Sequence, residues 1–364
     1  MSGTSLDGID VCLIDVQTKQ LAVLATHFLA YPPSIKSALL TLHTPSHNEL
    51  EEAELVANQL AKLYAEAVNA LLEKQHLKPE QVMAIGCHGQ TIRHKPIVNH
   101  DVGFTLQIGH AALLTELTQI TVVSDFRSRD IAAGGQGAPL VPAFHQAIFS
   151  HPDKSRAIIN IGGIANITYL PKASDQDTLV LGFDSGPGNM LIDAWTKHHL
   201  HQDYDADGAW AKTGKVNDAL LQQMLGDPYL AAPPPKSTGR DLFNDDWLKH
   251  QLLTTHLPPQ DVARTLTALT ANTIADALVS FCPPVDEVYL CGGGARNSLL
   301  VSELRSCLPN TLIELTDSLG VGLDWVEAAA FAWLAYQTIT HRPGNLPAVT
   351  GAKGLRILGA IYQA

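Results

Sequence analysis

The sequence predicts an α/β protein of two domains. Short apolar runs of strand length alternate with amphipathic helical stretches. The order three strands, helix, strand, helix, strand occurs twice along the chain. At 364 residues the chain is too long for one ordinary core. Glycine-rich turns follow the predicted strands, where open α/β sheets present ligands.

The first half opens on a turn, Met1-Ser-Gly-Thr-Ser-Leu-Asp-Gly8. Residues 11–16 and 21–24 read as strands, so 9–31 suggests a β-hairpin. Residues 51–77 predict a long amphipathic helix, with Leu60, Leu63, Tyr64, Ala67, Val68, Leu71 and Leu72 on one face. Residues 82–85 and 119–123 read as buried strands, ending in 86–91 and in the charged stretch 124–130. A glycine-rich loop follows over 133–139. In the second half, strands over 157–161 and 164–169 flank Gly162-Gly163, a tight hairpin turn. A third strand runs from 179 to Asp184. A helix and a polar insert over 200–255 lead to a helix over 261–281, whose apolar positions include Leu266, Leu269, Ile274 and Leu278. Residues 287–291 form a strand ending in Gly292-Gly-Gly-Ala-Arg-Asn297. Another strand covers 312–315 and an apolar helix 325–338.

Two such halves describe two actin-like (ribonuclease H-like) α/β domains around a nucleotide cleft. The expected division is 1–150, with phosphate and sugar contacts, and 151–364, with the catalytic aspartate and the nucleotide. The last segment has the option of packing back on the first domain. Fold alone gives no function. The net charge of -12 argues against non-specific nucleic-acid binding and against a polybasic membrane surface. It leaves room for an anionic ligand in a local pocket. Cys12, Cys87, Cys282, Cys291 and Cys307 are odd in number and form no CxxC pair, which suggests neither a zinc site nor a disulfide framework. Free thiols, no bilayer-length apolar run and no signal-peptide pattern lead to a cytoplasmic expectation.

Five glycine-rich turns carry the chemistry: 2–8, His88-Gly-Gln90, Asn160-Ile-Gly-Gly163, Asp184-Ser-Gly-Pro-Gly188 and Gly292-Gly-Gly294. Glycine lets the backbone approach a ligand closely, and successive N–H groups form anion nests. Five together point to a phosphate-bearing ligand. Neither a Walker A sequence nor a GxGxxG after the first strand is present. Asp184 at a strand end is a candidate general base, or else only caps the following helix. It is expected near the ordinary aspartate pKa of about 3.9. Asp7 and Asp10, beside Thr4 and Ser5, suit phosphate contacts and a water-mediated Mg²⁺, or an Asx turn. Glu327 reads on sequence as a first-turn helix acid. Asp125, Arg127, Arg129 and Asp130 suit a polar, carboxylate-bearing substrate, or form a solvated loop. Asp-Ser-Gly is not the GxSxG elbow, which excludes a serine hydrolase at Ser185.

These motifs are joined by 86–91, Asp125-Phe-Arg127, 134–142, Asn160-Ile-Gly-Gly-Ile-Ala-Asn166, Asp184-Ser-Gly-Pro-Gly-Asn189, Pro235-Lys-Ser-Thr-Gly-Arg240 and Cys291-Gly-Gly-Gly294. In that order, over essentially the whole chain, they resemble the anhydro-N-acetylmuramic acid kinase family. The resemblance implies an ATP-dependent kinase acting on 1,6-anhydro-N-acetylmuramic acid in peptidoglycan recycling. Water opens the anhydro bridge and the product is N-acetylmuramic acid 6-phosphate. It implies ATP contacts at Gly3, Thr4, Ser5, Leu6, Asp7, Gly8, Ile9, Asp10, Asn160, Gly162, Gly163, Gly186, Gly292 and Gly293. Sugar contacts fall at His88, Gln90, Asp125, Arg127 and Arg129. Asp184 is the implied catalytic base, Glu327 a companion acid on the attacking water, and Asp7 a metal contact through water. ATP, Mg²⁺ and the sugar are the implied ligands; a homodimer is one option for the assembly. Members of the family usually carry a strand segment before the Met-Ser-Gly-Thr turn, so an upstream start, or a first sheet without that strand, is expected. Two alternatives stay open: another sugar or amino-sugar kinase of the same fold, and a non-enzymatic ATP-switched module.

Overall fold

A computed structural model of the chain describes residues 1–3, 6–17, 20–175, 177–253 and 256–364. It divides into two compact units, Met1–Ile148 with Trp325–Ala364, and Phe149–Asp324. The segment 325–364, placed in the second domain by the sequence reading with the option of packing back, is part of the first unit.

The chain starts with a hairpin of β1 (Gly8–Gln17) and β2 (Gln20–Ala30). Helices α1 (Pro33–Leu42) and α2 (Glu49–Lys74) follow. The apolar spacing of α2 buries Val56, Leu60, Tyr64 and Leu71, and Glu49, Glu51 and Glu52 suit the positive end of its dipole. Of the strand expected over 82–85 only the end forms, as β3 (Ile85–Gly86). Then comes a hairpin that the sequence reading does not contain, β4 (Gln90–Val98) and β5 (Asp101–Ile108). Its turn residues Asn99 and His100 both have positive φ, 52° and 65°, as a two-residue type I′ turn requires. Next come α3 (Ala111–Thr118), β6 (Val122–Ser124), α4 (Ser128–Ala132) and α5 (Val141–Phe149).

The second unit contains β7 (Arg156–Ile161), β8 (Ile164–Leu170) and β9 (Leu181–Pro187), each antiparallel to the next. Helix α6 (Met190–Leu200) follows. The polar insert holds α7 (Asp218–Leu225), α8 (Pro228–Ala231) and α9 (Asp245–Leu252). They share a small core of Leu220, Met224, Phe243 and Leu248 with Leu266. That residue belongs to α10 (Pro259–Phe281), which also covers the sheet through Ile274 and Leu278. β10 (Glu287–Cys291), α11 (Ser298–Cys307) and β11 (Leu312–Leu315) complete the unit. The sheet order is β11-β10-β7-β8-β9, with β10 parallel to both neighbours.

The chain then returns to the first unit as α12 (Val326–Ile339), α13 (Pro347–Thr350) and β12 (Ala360–Tyr362). β12 pairs antiparallel with β6, giving the sheet β12-β6-β3. α12 lies directly on β3: a Cβ on Gly86 would stand 2.0 Å from the Phe331 carbonyl oxygen. The Phe331 ring packs 5.5 Å from Phe126 and 4.6 Å from the His88 ring. The fully buried Asp130 ties the returning segment down. Its carboxylate accepts from the Gly137 N–H (2.8 Å), Asn345 Nδ2 (2.7 Å) and Thr350 Oγ1 (2.8 Å). Among the described residues β1 bonds to β2 and β3 to β6. An apolar cavity of about 420 Å³ lies beside both, lined among others by Val11, Leu13, Leu72, Ile85 and Tyr336. No helix among the described residues is long and apolar enough to cross a membrane.

Candidate active site

Asp184 lies on β9, beside an irregularity in its pairing with β8. Three bonds fix it, all to the insert. Its N–H donates to the Lys236 carbonyl (3.2 Å), and its carbonyl accepts from the Tyr229 hydroxyl (3.0 Å). Carboxylate Oδ2 accepts from the Thr238 N–H (3.0 Å). Oδ1 has no hydrogen bond from the described residues. Burial raises the pKa of Asp184 to about 6, opposed by the Thr238 amide and the Lys236 charge. The expectation of an ordinary aspartate pKa is therefore corrected: the half-buried position makes the charge dearer than in water. The carboxylate is still mostly ionised at neutral pH.

The glycine turns of this unit gather at the carboxyl ends of β7 and β10. A Cβ on Gly292, whose φ is 80°, would meet Asn160 Oδ1 at 2.2 Å, and one on Gly294 would meet Asn189 Oδ1 at 2.8 Å. Several of the amides are committed inside the chain. Gly162 N–H donates to Ile164 (3.1 Å), Gly188 N–H to Gly163 (2.9 Å), Asn189 N–H to Gly162 (2.8 Å) and Gly292 N–H to Leu323 (2.9 Å). At these positions the turns offer a ligand close backbone approach rather than free N–H donors. Gly163 and Gly293 are exposed. Gly186 is buried, with Leu230 and Thr273 packed against it.

In the first unit, Thr4 and Ser5 lie outside the described residues. Around them, the Leu6 and Ile9 side chains are core and bring only backbone to the turn. Gly8 has no room for a side chain, because its Cβ would meet the Leu29 carbonyl at 2.4 Å. Its N–H donates to the exposed Asp7 carboxylate (3.0 Å). The amino group of Met1 donates to the Asp10 carbonyl (2.6 Å).

His88 and Gln90 support this turn. His88 Nδ1 donates to the Gly89 carbonyl (2.7 Å), and Nε2 accepts from Arg127 Nε (3.1 Å) and an outer nitrogen (2.8 Å). The partners fix one neutral tautomer, and burial followed by the Arg127 charge holds the imidazole pKa well below its ordinary value. Gln90 is buried, with Nε2 donating to the Gly3 carbonyl (3.1 Å). Arg127 also donates to the Gly137 carbonyl (2.8 Å); burial lowers its pKa to about 10, opposed by Glu327. Burial raises the Glu327 pKa, against the charges of Arg127 and the Met1 amino group. Asp125 and Arg129 are exposed, and Asp125 accepts from Ser128 Oγ (2.5 Å). The structure thus bonds Arg127 to the neutral His88 and sets its charge against that of Glu327, and it leaves Asp125 and Arg129 outside this group.

The family model for anhydro-N-acetylmuramic acid kinase matches residues 1–364. The chain belongs to the anhydro-N-acetylmuramic acid kinase family. It is 54% identical over 364 residues to the anhydro-N-acetylmuramic acid kinase of Nitrosomonas europaea, covering 100% of this chain and 98% of that one. It is 53% identical, with the same coverage, to the one of Nitrosospira multiformis. A looser overlap, 12% identical with a TM-score of 0.44, joins 92% of this chain to 96% of a Clostridium difficile activator of 2-hydroxyisocaproyl-CoA dehydratase. It bears on neither fold nor ligand.

The residues of this kinase that sequence reasoning missed are Tyr229, Lys236 and Thr238. Pro235-Lys-Ser-Thr-Gly-Arg240 stands out as a motif, but its partner Asp184 is about fifty positions upstream, with no periodicity connecting them. Lys236 Nζ donates to the carbonyls of Tyr229 (3.2 Å) and Leu230 (3.0 Å). It also sits over the rings of Tyr229 (4.8 Å) and Phe281 (4.9 Å).

Proposed function

We propose that Asp184 is the general base by which this kinase carries out its family's reaction, the ATP-dependent conversion of 1,6-anhydro-N-acetylmuramic acid to N-acetylmuramic acid 6-phosphate in peptidoglycan recycling. The observation that carries this reading is the carboxylate itself. Oδ2 is held by a backbone N–H, Oδ1 is open, and the group is charged at neutral pH but half-buried. Oδ1 takes a proton from water as the water adds to the anomeric carbon, through an oxocarbenium-like state. The C1–O6 bond breaks and its electron pair stays on O6. O6 attacks the γ-phosphorus, ADP leaves, and the proton on Asp184 passes to solvent. Ring opening thus generates the nucleophile for transfer, and O6 needs no base of its own. Glu327 takes the companion role of orienting the water, with Arg127 holding its charge. Arg127, presented by His88, contributes positive charge to the sugar or phosphates.

ATP is assigned to the 3–10 turn and to the Asn160, Gly162, Gly163, Gly186, Gly292 and Gly293 region. Phosphoryl transfer needs positioning and charge stabilisation, which closely approaching backbone supplies. Mg²⁺, when bound, neutralises phosphate charge. The single exposed carboxylate of Asp7 fits an ion that keeps its waters and the phosphates as ligands. Among the described residues no cluster of three or more acids, histidines or cysteines forms a fuller cage. The five free cysteines suit a cytoplasmic setting.

The test is ADP release by Asp184→Asn with the anhydro sugar and, separately, with the hydrolysed sugar. The substitution keeps the side-chain shape. It should leave ATP binding within a few-fold and cut anhydro-sugar turnover by at least about 10²-fold. Near wild-type turnover by the variant would refute the base role, and a preference of the wild-type enzyme for the hydrolysed sugar would refute the coupled ring opening.

A further inference from the structure

The insert of the second unit bonds the base at three points, and one cation closes the strap that makes those bonds. Asp184 is bonded at its N–H, its carbonyl and its carboxylate by Lys236, Tyr229 and Thr238, all from the strap 229–238. The strap is anchored at its start by Asp227, which caps α8 through the Tyr229 N–H (3.0 Å) and accepts from Trp247 Nε1 (2.9 Å) on α9. At the other end the Lys236 ammonium bonds back to the carbonyls of Tyr229 and Leu230, closing the strap into a loop. The ammonium also lies over two aromatic rings, and the residue is half-buried. Such a seat suits a cation that packs its stem and keeps its charge. Among the described residues Lys236 forms no ion pair, so its charge acts on Asp184 without contact.

We propose that Lys236 is a positioning residue for Asp184: it closes the strap that aims the carboxylate and places a positive charge beside it without occupying an oxygen. A direct ion pair would block the oxygen that must accept the proton. An ammonium held by carbonyls and rings favours the ionised base and leaves Oδ1 open to water. The inference rests on the reading of Asp184 as the base. The other titratable groups at this corner are the Tyr229 phenol, which burial pushes above its ordinary pKa, and Asp241, whose charge acts on that phenol.

The test is the pH profile of kcat/KM for wild type, Lys236→Met and Lys236→Arg, with the anhydro sugar and ATP. Wild type should show an acid limb near pH 6. Lys236→Met should move that limb up by about one unit, the lower end of what a nearby opposite charge produces. Lys236→Arg should lose amplitude and keep the limb in place. A residue that only holds the loop together would lower the whole curve without moving it. If Lys236→Met does not fold, Lys236→Gln keeps a donor for the two carbonyls without the charge and should shift the limb in the same direction. A wild-type limb that stays put in the uncharged variants overturns this inference alone. A wild-type profile flat to pH 5 overturns the base reading and this inference with it.

Discussion

Asp184→Asn should make the protein more stable while it removes activity. Raising the Asp184 pKa from the ordinary value of 3.8 to about 6 means that the folded state pulls protons onto this carboxyl more readily than the unfolded chain does. Between those two values the folded state binds the extra proton, so stability falls as pH rises through the window. Above pH 6 the whole cost of the buried charge is present; below about pH 4 it has gone. At about 1.36 kcal/mol per unit, two units set a ceiling of about 3 kcal/mol, and partial exposure brings the expected gain to about 1–3 kcal/mol. Asparagine keeps an oxygen for the Thr238 N–H, so relief of the charge is not offset by a lost bond. For a unit of this size the gain corresponds to a rise in Tm of roughly 2–10 °C. Urea or thermal unfolding of both proteins at pH 7.5 and pH 4.5 measures it. The variant should be the more stable at pH 7.5, with the difference shrinking towards zero at pH 4.5. A variant that is less stable at pH 7.5, or a gain equal at both pH values, would refute the reasoning.

Three other outcomes are expected. Gly86→Ala drives a methyl into the α12 backbone and should destabilise the first unit by about 3 kcal/mol or more; an unchanged melting curve would contradict so close an approach. Asp130→Asn turns an acceptor of three donors into one that must present N–H to one of them, a cost of about 2–4 kcal/mol. Hydrogen exchange at the Gly137 amide should accelerate, and full protection would count against the network. Because the folded state holds His88 neutral, the unfolded chain binds its proton more readily below about pH 6.5, so this group lowers stability as pH falls through that value. The slope of unfolding free energy between pH 7 and 5 should accordingly be shallower in His88→Asn, and an identical slope would refute the assignment.

Much of the fold is legible in the sequence because its signals are local. The α2 stripe, the Gly162-Gly163 turn and the apolar β7 and β10 declare themselves within a few residues. The β4–β5 hairpin does not, because Val102, Phe104 and Leu106 alternate towards the exposed face and Pro96 interrupts the partner strand. Asp184 is legible as a carboxylate beside a glycine turn, although the strand expected to end there runs on to Pro187. Its environment is not, since Tyr229 and Thr238 are distant in sequence and its pKa depends on a three-dimensional seat. His88 and Gln90 are legible as polar residues beside a glycine turn, but their partners are not. Both are buried, and buried polar groups are bonded: His88 bonds to the Gly89 carbonyl and Gln90 to the Gly3 carbonyl, pairings that no local signal announces.

The return of 325–364 to the first unit sets an order of events during synthesis. A ribosome releases residues 1–148 first, but β6 gets its neighbour β12, and β3 its cover of α12, only from the end of the chain. The stretch 149–324 has all of its strands in hand before that end emerges. At about 5–20 residues per second the wait lasts roughly 10–40 s. During it Val122, Val123 and Phe126, all buried in the finished protein, lack part of their covering. The unit of residues 149–324 is thus ready before the unit formed by 1–148 and 325–364. Slowing translation beyond residue 148 would lengthen the exposure of these residues rather than help the first unit to fold.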